Sequence, residues 1–148
     1  LGLFLIDVMG RKKLLIIGSI GMSVCLGLVA KTFYTQDFSG FGLLVFLLIY
    51  IMFFAFSTGA VIWVLIAEIF PNSVRGKGQS LGSFTHWFFA ALITFLFPVI
   101  EKTFRFGVGH AFLFFSTMMI LQVIVVWRYF PETKGKTLEE LGEGLSKN

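Results

Sequence analysis

Four long stretches of the chain carry no charge. They run from Leu14 to Ala30, Phe38 to Ala67, Gly78 to Ile100 and Ala111 to Trp127, lengths of 17, 30, 23 and 17 residues. A bilayer core takes about 20 apolar helical residues, in a range of roughly 17–25. Each run is continuous rather than alternating, which predicts helices and not strands. The second run exceeds the need, so either its helix tilts or its first residues belong to the preceding loop. "DFSGFG" at its start reads as a turn and a helix entry. A fifth run, "LGLFLI", is only six residues long and no basic residue precedes it, so it is not a signal peptide. It reads as the tail of a further span, and the chain as a piece of a longer protein. The predicted architecture is all-α: a polytopic membrane helix bundle of about four complete spans plus a partial one over residues 1–130. A tail with a short helix follows over 131–148.

Composition agrees with lipid as the solvent. The chain is 57% hydrophobic and 14% charged, with 20 phenylalanines in 148 residues. A soluble domain is about 25% charged, and a chain this short has too little interior to hide so much apolar surface. The net charge of +4 does not point to nucleic acid, because the basic residues sit at the ends of apolar runs and not among exposed aromatics. Nine of them (Arg11, Lys12, Lys13, Arg75, Lys77, Arg128, Lys134, Lys136, Lys147) fall on one side of the predicted membrane. Three (Lys31, Lys102, Arg105) fall on the other. The richer side is expected to be cytoplasmic, together with the C-terminus. In the tail, Thr137 and Glu140 have capping-box spacing, and Leu138, Leu141 and Leu145 form one apolar edge. A single cysteine, Cys25, excludes an internal disulfide.

Within the runs there is no Asp, Lys or Arg, and no Glu away from a boundary. Trp63 and Trp87 lie well inside, whereas membrane tryptophan favours the interface. His86 adjoins Trp87. A histidine at membrane depth is costly unless it faces a partner or a wet cavity, so His86 is expected to point toward other helices. An indole offers an apolar face and one N–H donor. That suits the C–H faces and hydroxyls of a sugar equally with packing between helices. Thr58, Thr85, Thr94, Ser116 and Gln122 are the remaining polar candidates. Ser57–Ala60 form a run of small residues around Gly59, open to two readings, close helix packing or a hinge. Gly18, Gly21 and Gly27 in the first run are open to the same two. Glu68 and Glu132 lie beside prolines at helix ends, where a carboxylate at a C-terminus needs a cation nearby. Arg11 and Arg75 are suited to supply it.

A membrane enzyme would need paired carboxylates, a metal-binding histidine pair or an activated nucleophile. His86 and His110 lie in different segments without an acidic neighbour at depth. A four-span structural or assembly protein is the other alternative, but it would not require the motifs that follow.

"DVMGRK", "WVLIAEIFPNSVRGKG" and "FPETKGKTLEEL", in this order and separated by the right number of spans, resemble the sugar porter family of the major facilitator superfamily. The resemblance covers essentially the whole chain and the last third of a twelve-span carrier, from the end of helix eight through helices nine to twelve. It implies transmembrane transport of a monosaccharide, hexose or pentose, by alternating access in the plasma membrane, with no cofactor and no metal. The implied partners are the sugar, the lipid bilayer, the carrier's N-terminal bundle and, in a symporter, protons; nucleic acid is not among them. Trp63, His86 and Trp87 match substrate-binding positions, and Gly59 matches the gating part of the tenth helix. Asp7, Arg11, Glu68, Arg75 and Glu132 match the cytoplasmic charge network. Two departures stand out. The chain has "GAVIW" where relatives carry prolines after the matching glycine, and His86 stands where an amide often does. The glutamine-rich motif of the seventh helix and any first-helix carboxylate lie outside this sequence. The segment alone is expected not to transport.

Overall fold

A computed structural model describes residues 9–38, 40–70 and 73–130, apart from the side chains of Leu65, Glu68 and Ile69. Asp7, Glu132 and the predicted tail helix lie outside the described residues. Among the described residues five helices are seen: α1 (Arg11–Thr35), α2 (Gly42–Phe56), α3 (Thr58–Ile69), α4 (Arg75–Thr103) and α5 (Gly107–Tyr129). α2 and α3 divide the second apolar run, so four helical stretches among the described residues are long and apolar enough to cross a membrane. The chain is a multi-pass membrane protein.

The helices outlast the charge-free runs by about a turn. α1 begins at Arg11 and takes its three basic residues into the first turn. Gly10 precedes it with φ 87° and ψ 155°. Only glycine adopts that region readily, which gives "DVMGRK" a backbone reason for its glycine. The second run starts as a helix at Gly42, so its excess length is partly loop. α4 runs through Pro98 to Thr103 without ending.

α1 is the centre of the bundle, with Leu14, Leu15, Met22 and Val29 fully buried. Lipid is as apolar as leucine, so membrane helices associate through close packing and hydrogen bonds more than through the hydrophobic effect. α1 uses both means, on two faces. Gly18 and Gly21 lie against α2, where a Cβ would meet Ser57 and the ring of Phe53. Roughly 140° round the helix from Gly18, Ser23 donates to the Ser116 carbonyl of α5 at 3.0 Å, and Ser116 donates back to the Ser23 carbonyl at 2.8 Å. A Cβ on Gly27 would stand 3.5 Å from Ser116 Oγ, an ordinary contact. Close packing that needs glycine is therefore seen at Gly18 and Gly21. At the basic end, Leu14, Leu15, Val61 and Val126 form a small core closed by Met9, Phe56, Val64 and Phe130.

α4 stands apart. Gly78 is its one buried residue among those described. It meets α3 through Gly82 beneath Ile66 and α5 near their shared turn. Phe84, Trp87, Phe95 and Val99 are all more than half exposed.

Candidate functional site

The second run breaks at Ser57, where φ −114° and ψ −103° leave the helical region. Ser57 ends α2 and starts α3: its N–H donates to the Phe54 carbonyl, and its own carbonyl accepts from Ala60 and Val61. Its hydroxyl donates to the Phe53 carbonyl. The bend thus falls two residues before Gly59. Gly59 lies inside α3, where a Cβ would stand 3.0 Å from the Phe54 carbonyl oxygen and ring. Glycine lets the redirected helix pass close to the end of the old one.

Trp63 follows on α3, and His86 meets it from α4 with Trp87 against its other side. The imidazole centroid is 5.1 Å from the Trp63 ring at 69° between planes, and 5.5 Å from the Trp87 ring at 85°. The structure brings these three sequence-predicted residues into one group, with His86 between two indoles. Among the described residues His86 makes ring contacts and no hydrogen bond, so both its nitrogens are available. Trp63 is 41% exposed and Trp87 65%, which leaves indole surface open for a ligand. Aromatic faces flanking one group able to give and take a hydrogen bond can hold a polyhydroxylated ring.

The other polar candidates are engaged elsewhere. Thr85 and Thr94 donate back along α4 to Leu81 and Ala90. Ser116 belongs to the α1–α5 clasp. Gln122 of α5 reaches Thr58 at 3.4 Å, just beyond the break. A cavity of about 430 Å³ lies between the far halves of α4 and α5, lined by Ile93, Phe97, Phe104, His110 and Phe114 among others. It includes none of the three site residues.

At the basic end, Arg11 is partnered, and Lys12 Nζ donates to the Trp127 carbonyl at 2.9 Å. Arg75 opens α4 with Nε and Nη2 buried and without a hydrogen-bond partner among the described residues. Buried guanidinium N–H groups call for a carboxylate or carbonyl. Of its expected partners, the Glu68 side chain, Asp7 and Glu132 all lie outside the described residues.

The break at Ser57 and its seat on Gly18 were not read from the sequence. The available signal was a hydroxyl and a glycine in the middle of adjacent apolar runs.

Helices long and apolar enough to cross the bilayer, one of them interrupted midway beside an indole–imidazole–indole group, define a polytopic membrane protein. The chain belongs to the sugar transporter family of the major facilitator superfamily: the profile described as "Sugar (and other) transporter" matches residues 1–145. It is 38% identical over 145 residues to the D-xylose-proton symporter of Escherichia coli (strain K12), covering 95% of this chain and 29% of that relative. It is 35% identical over 144 residues to the glucose facilitated diffusion protein of Zymomonas mobilis, covering 93% of this chain and 30% of the relative. It superimposes on the inward-open structure of the E. coli xylose transporter XylE with a TM-score of 0.87 at 38% identity, over 97% of this chain and 31% of that one. The chain therefore spans about three tenths of the length of these relatives.

Proposed function

We infer that this chain is part of a carrier that moves a monosaccharide, hexose or pentose, across the plasma membrane by alternating access. The observation that carries the reading is the edge-to-face contact of His86 with Trp63 and with Trp87 beside a broken helix, within a chain of the sugar transporter family. Discontinuous helices near the midplane are where such carriers place their substrate. Trp63 stacks on the sugar, His86 exchanges hydrogen bonds with a hydroxyl, and Trp87 closes the flank. No covalent step occurs, and neither cofactor nor metal takes part. The relatives carry transporter names, which favours a carrier over an enzyme or a structural subunit.

Those names span proton symport and facilitated diffusion. The spans of this chain hold no carboxylate at depth, so in a symporter the coupling carboxylate belongs to the rest of the carrier. An N-terminal bundle completes the cavity and supplies the opposing wall, and the segment alone does not transport. Residues 1–130 form the membrane part. The tail 131–148 lies in the cytoplasm, consistent with the basic residues gathered at that end. There Arg11 and Arg75, with Asp7, Glu68 and Glu132, clip helix ends together in one conformation and release them in the other. The bend at Ser57, eased by Gly59, gates the site.

Counterflow of radiolabelled D-xylose and D-glucose by the complete carrier in liposomes tests the reading. Trp63→Ala is expected to weaken apparent affinity by about tenfold or more, since base–aromatic and similar stacking contacts run to about 1–3 kcal/mol. Unchanged counterflow with Trp63→Ala, or none with the unaltered carrier, overturns it.

A further inference from the structure

Ser57 is fully buried, and its side chain rests on the bare backbone of Gly18. A Cβ on Gly18 would overlap both Cβ and Oγ of Ser57. One turn along α1, a Cβ on Gly21 would come within 2.5 Å of the Phe53 ring. The last turn of α2 and the break itself therefore sit in a recess that two glycines leave open. The contact is steric, because the Ser57 hydroxyl is spent on the Phe53 carbonyl of its own helix. On the far side of the break, Gln122 steadies Thr58 from α5. α3 leaves from this seat and carries Trp63 roughly one and a half turns later. Kinks of this kind need a local cause, and a serine set against a glycine supplies one.

We propose that Gly18 is a positioning residue for the sugar site. By receiving Ser57 it fixes where the run breaks and the direction in which α3 departs, and so where the Trp63 indole stands against His86. Gly18 touches neither indole and no substrate; it acts through Ser57. A methyl group there displaces the break and swings Trp63 away from α4.

Two arms test this in the complete carrier. The first rests on the function proposed above: equilibrium binding of radiolabelled D-xylose or D-glucose. Gly18→Ala is expected to weaken binding about tenfold, and Ser57→Gly in the same background, which removes the overlapping atoms, is expected to restore it to within about threefold. The second arm needs no sugar. In a carrier cleared of other cysteines, Trp63→Cys with His86→Cys reports approach of α3 and α4 by oxidative cross-linking. Gly18→Ala should lower that yield severalfold, and Ser57→Gly should return it. If Gly18→Ala fails to accumulate in the membrane, recovery of expression and cross-linking in the double variant supports the proposal. Unchanged cross-linking in Gly18→Ala, or no recovery with Ser57→Gly, overturns it. If cross-linking follows the proposal while the unaltered carrier binds no monosaccharide, the function fails and the positioning role stands.

Discussion

In the proposed sugar site, His86 is the side chain able both to give and to take a hydrogen bond. A neutral imidazole has one donor and one acceptor, as an amide does, and so matches a hydroxyl that both gives and takes. His86→Asn is therefore expected to keep sugar binding in the complete carrier, whereas His86→Leu, which offers neither donor nor acceptor, should weaken it severalfold. Equal binding by the leucine variant would show that the imidazole makes no hydrogen bond to the sugar. Gly10 is a second residue whose identity is dictated locally. Its φ of 87° with extended ψ costs other residues about 1–3 kcal/mol. Gly10→Ala should lower the melting temperature of the carrier in detergent and leave the substrate ranking unchanged.

The spans were legible as elements because charge and length alone set them. Lysines and arginines cannot sit in hydrocarbon, so the charge-free runs had to be the crossings. The ends were less legible, since long basic side chains let a helix continue past its last apolar residue, as Arg11–Lys13 do in α1. The grouping of Trp63, His86 and Trp87 was also legible, because indole and imidazole at depth are unusual enough to stand out. The break was not. Gly59 attracted attention as the residue permissive of bending, yet the bend falls at Ser57, because its cause lies on another helix. A contact between Gly18 and Ser57 cannot be read from either run alone. The Ser23–Ser116 clasp was hidden for the same reason. Each half of it looks like a small, neutral residue in an apolar helix. Interhelical hydrogen bonds in membranes average about 0.6 kcal/mol and reach about 1.7. Ser23→Ala with Ser116→Ala should therefore destabilise α1–α5 packing by about 1 kcal/mol, less than the sum of the single changes, in thermal melts of the detergent-solubilised carrier.

Taken together, the helices divide into a tight group and an outlying one. α1, α2 and α5 interlock through glycines and serines, while α4 contributes Trp87 and His86 with little burial of its own. Arg75 begins α4 with two buried nitrogens, Nε and Nη2, lacking an acceptor among the described residues. Under the proposed charge network, Arg75→Gln removes the clip and shifts the population away from the outward-facing state. Maleimide labelling of a cysteine placed in the outward cavity should slow severalfold in that variant, while equal labelling in both would separate Arg75 from the conformational equilibrium.

The bond from Lys12 Nζ to the Trp127 carbonyl joins the first turn of α1 to the last turn of α5. With the serine clasp deeper along the same two helices, it makes them a pair of rods fastened at two heights. Tension applied to the backbone just beyond Phe130 is then shared with α1 before it reaches the other helices. In single-molecule extraction from a bilayer, α5 should resist until both fastenings give way, and come out in one large step rather than turn by turn.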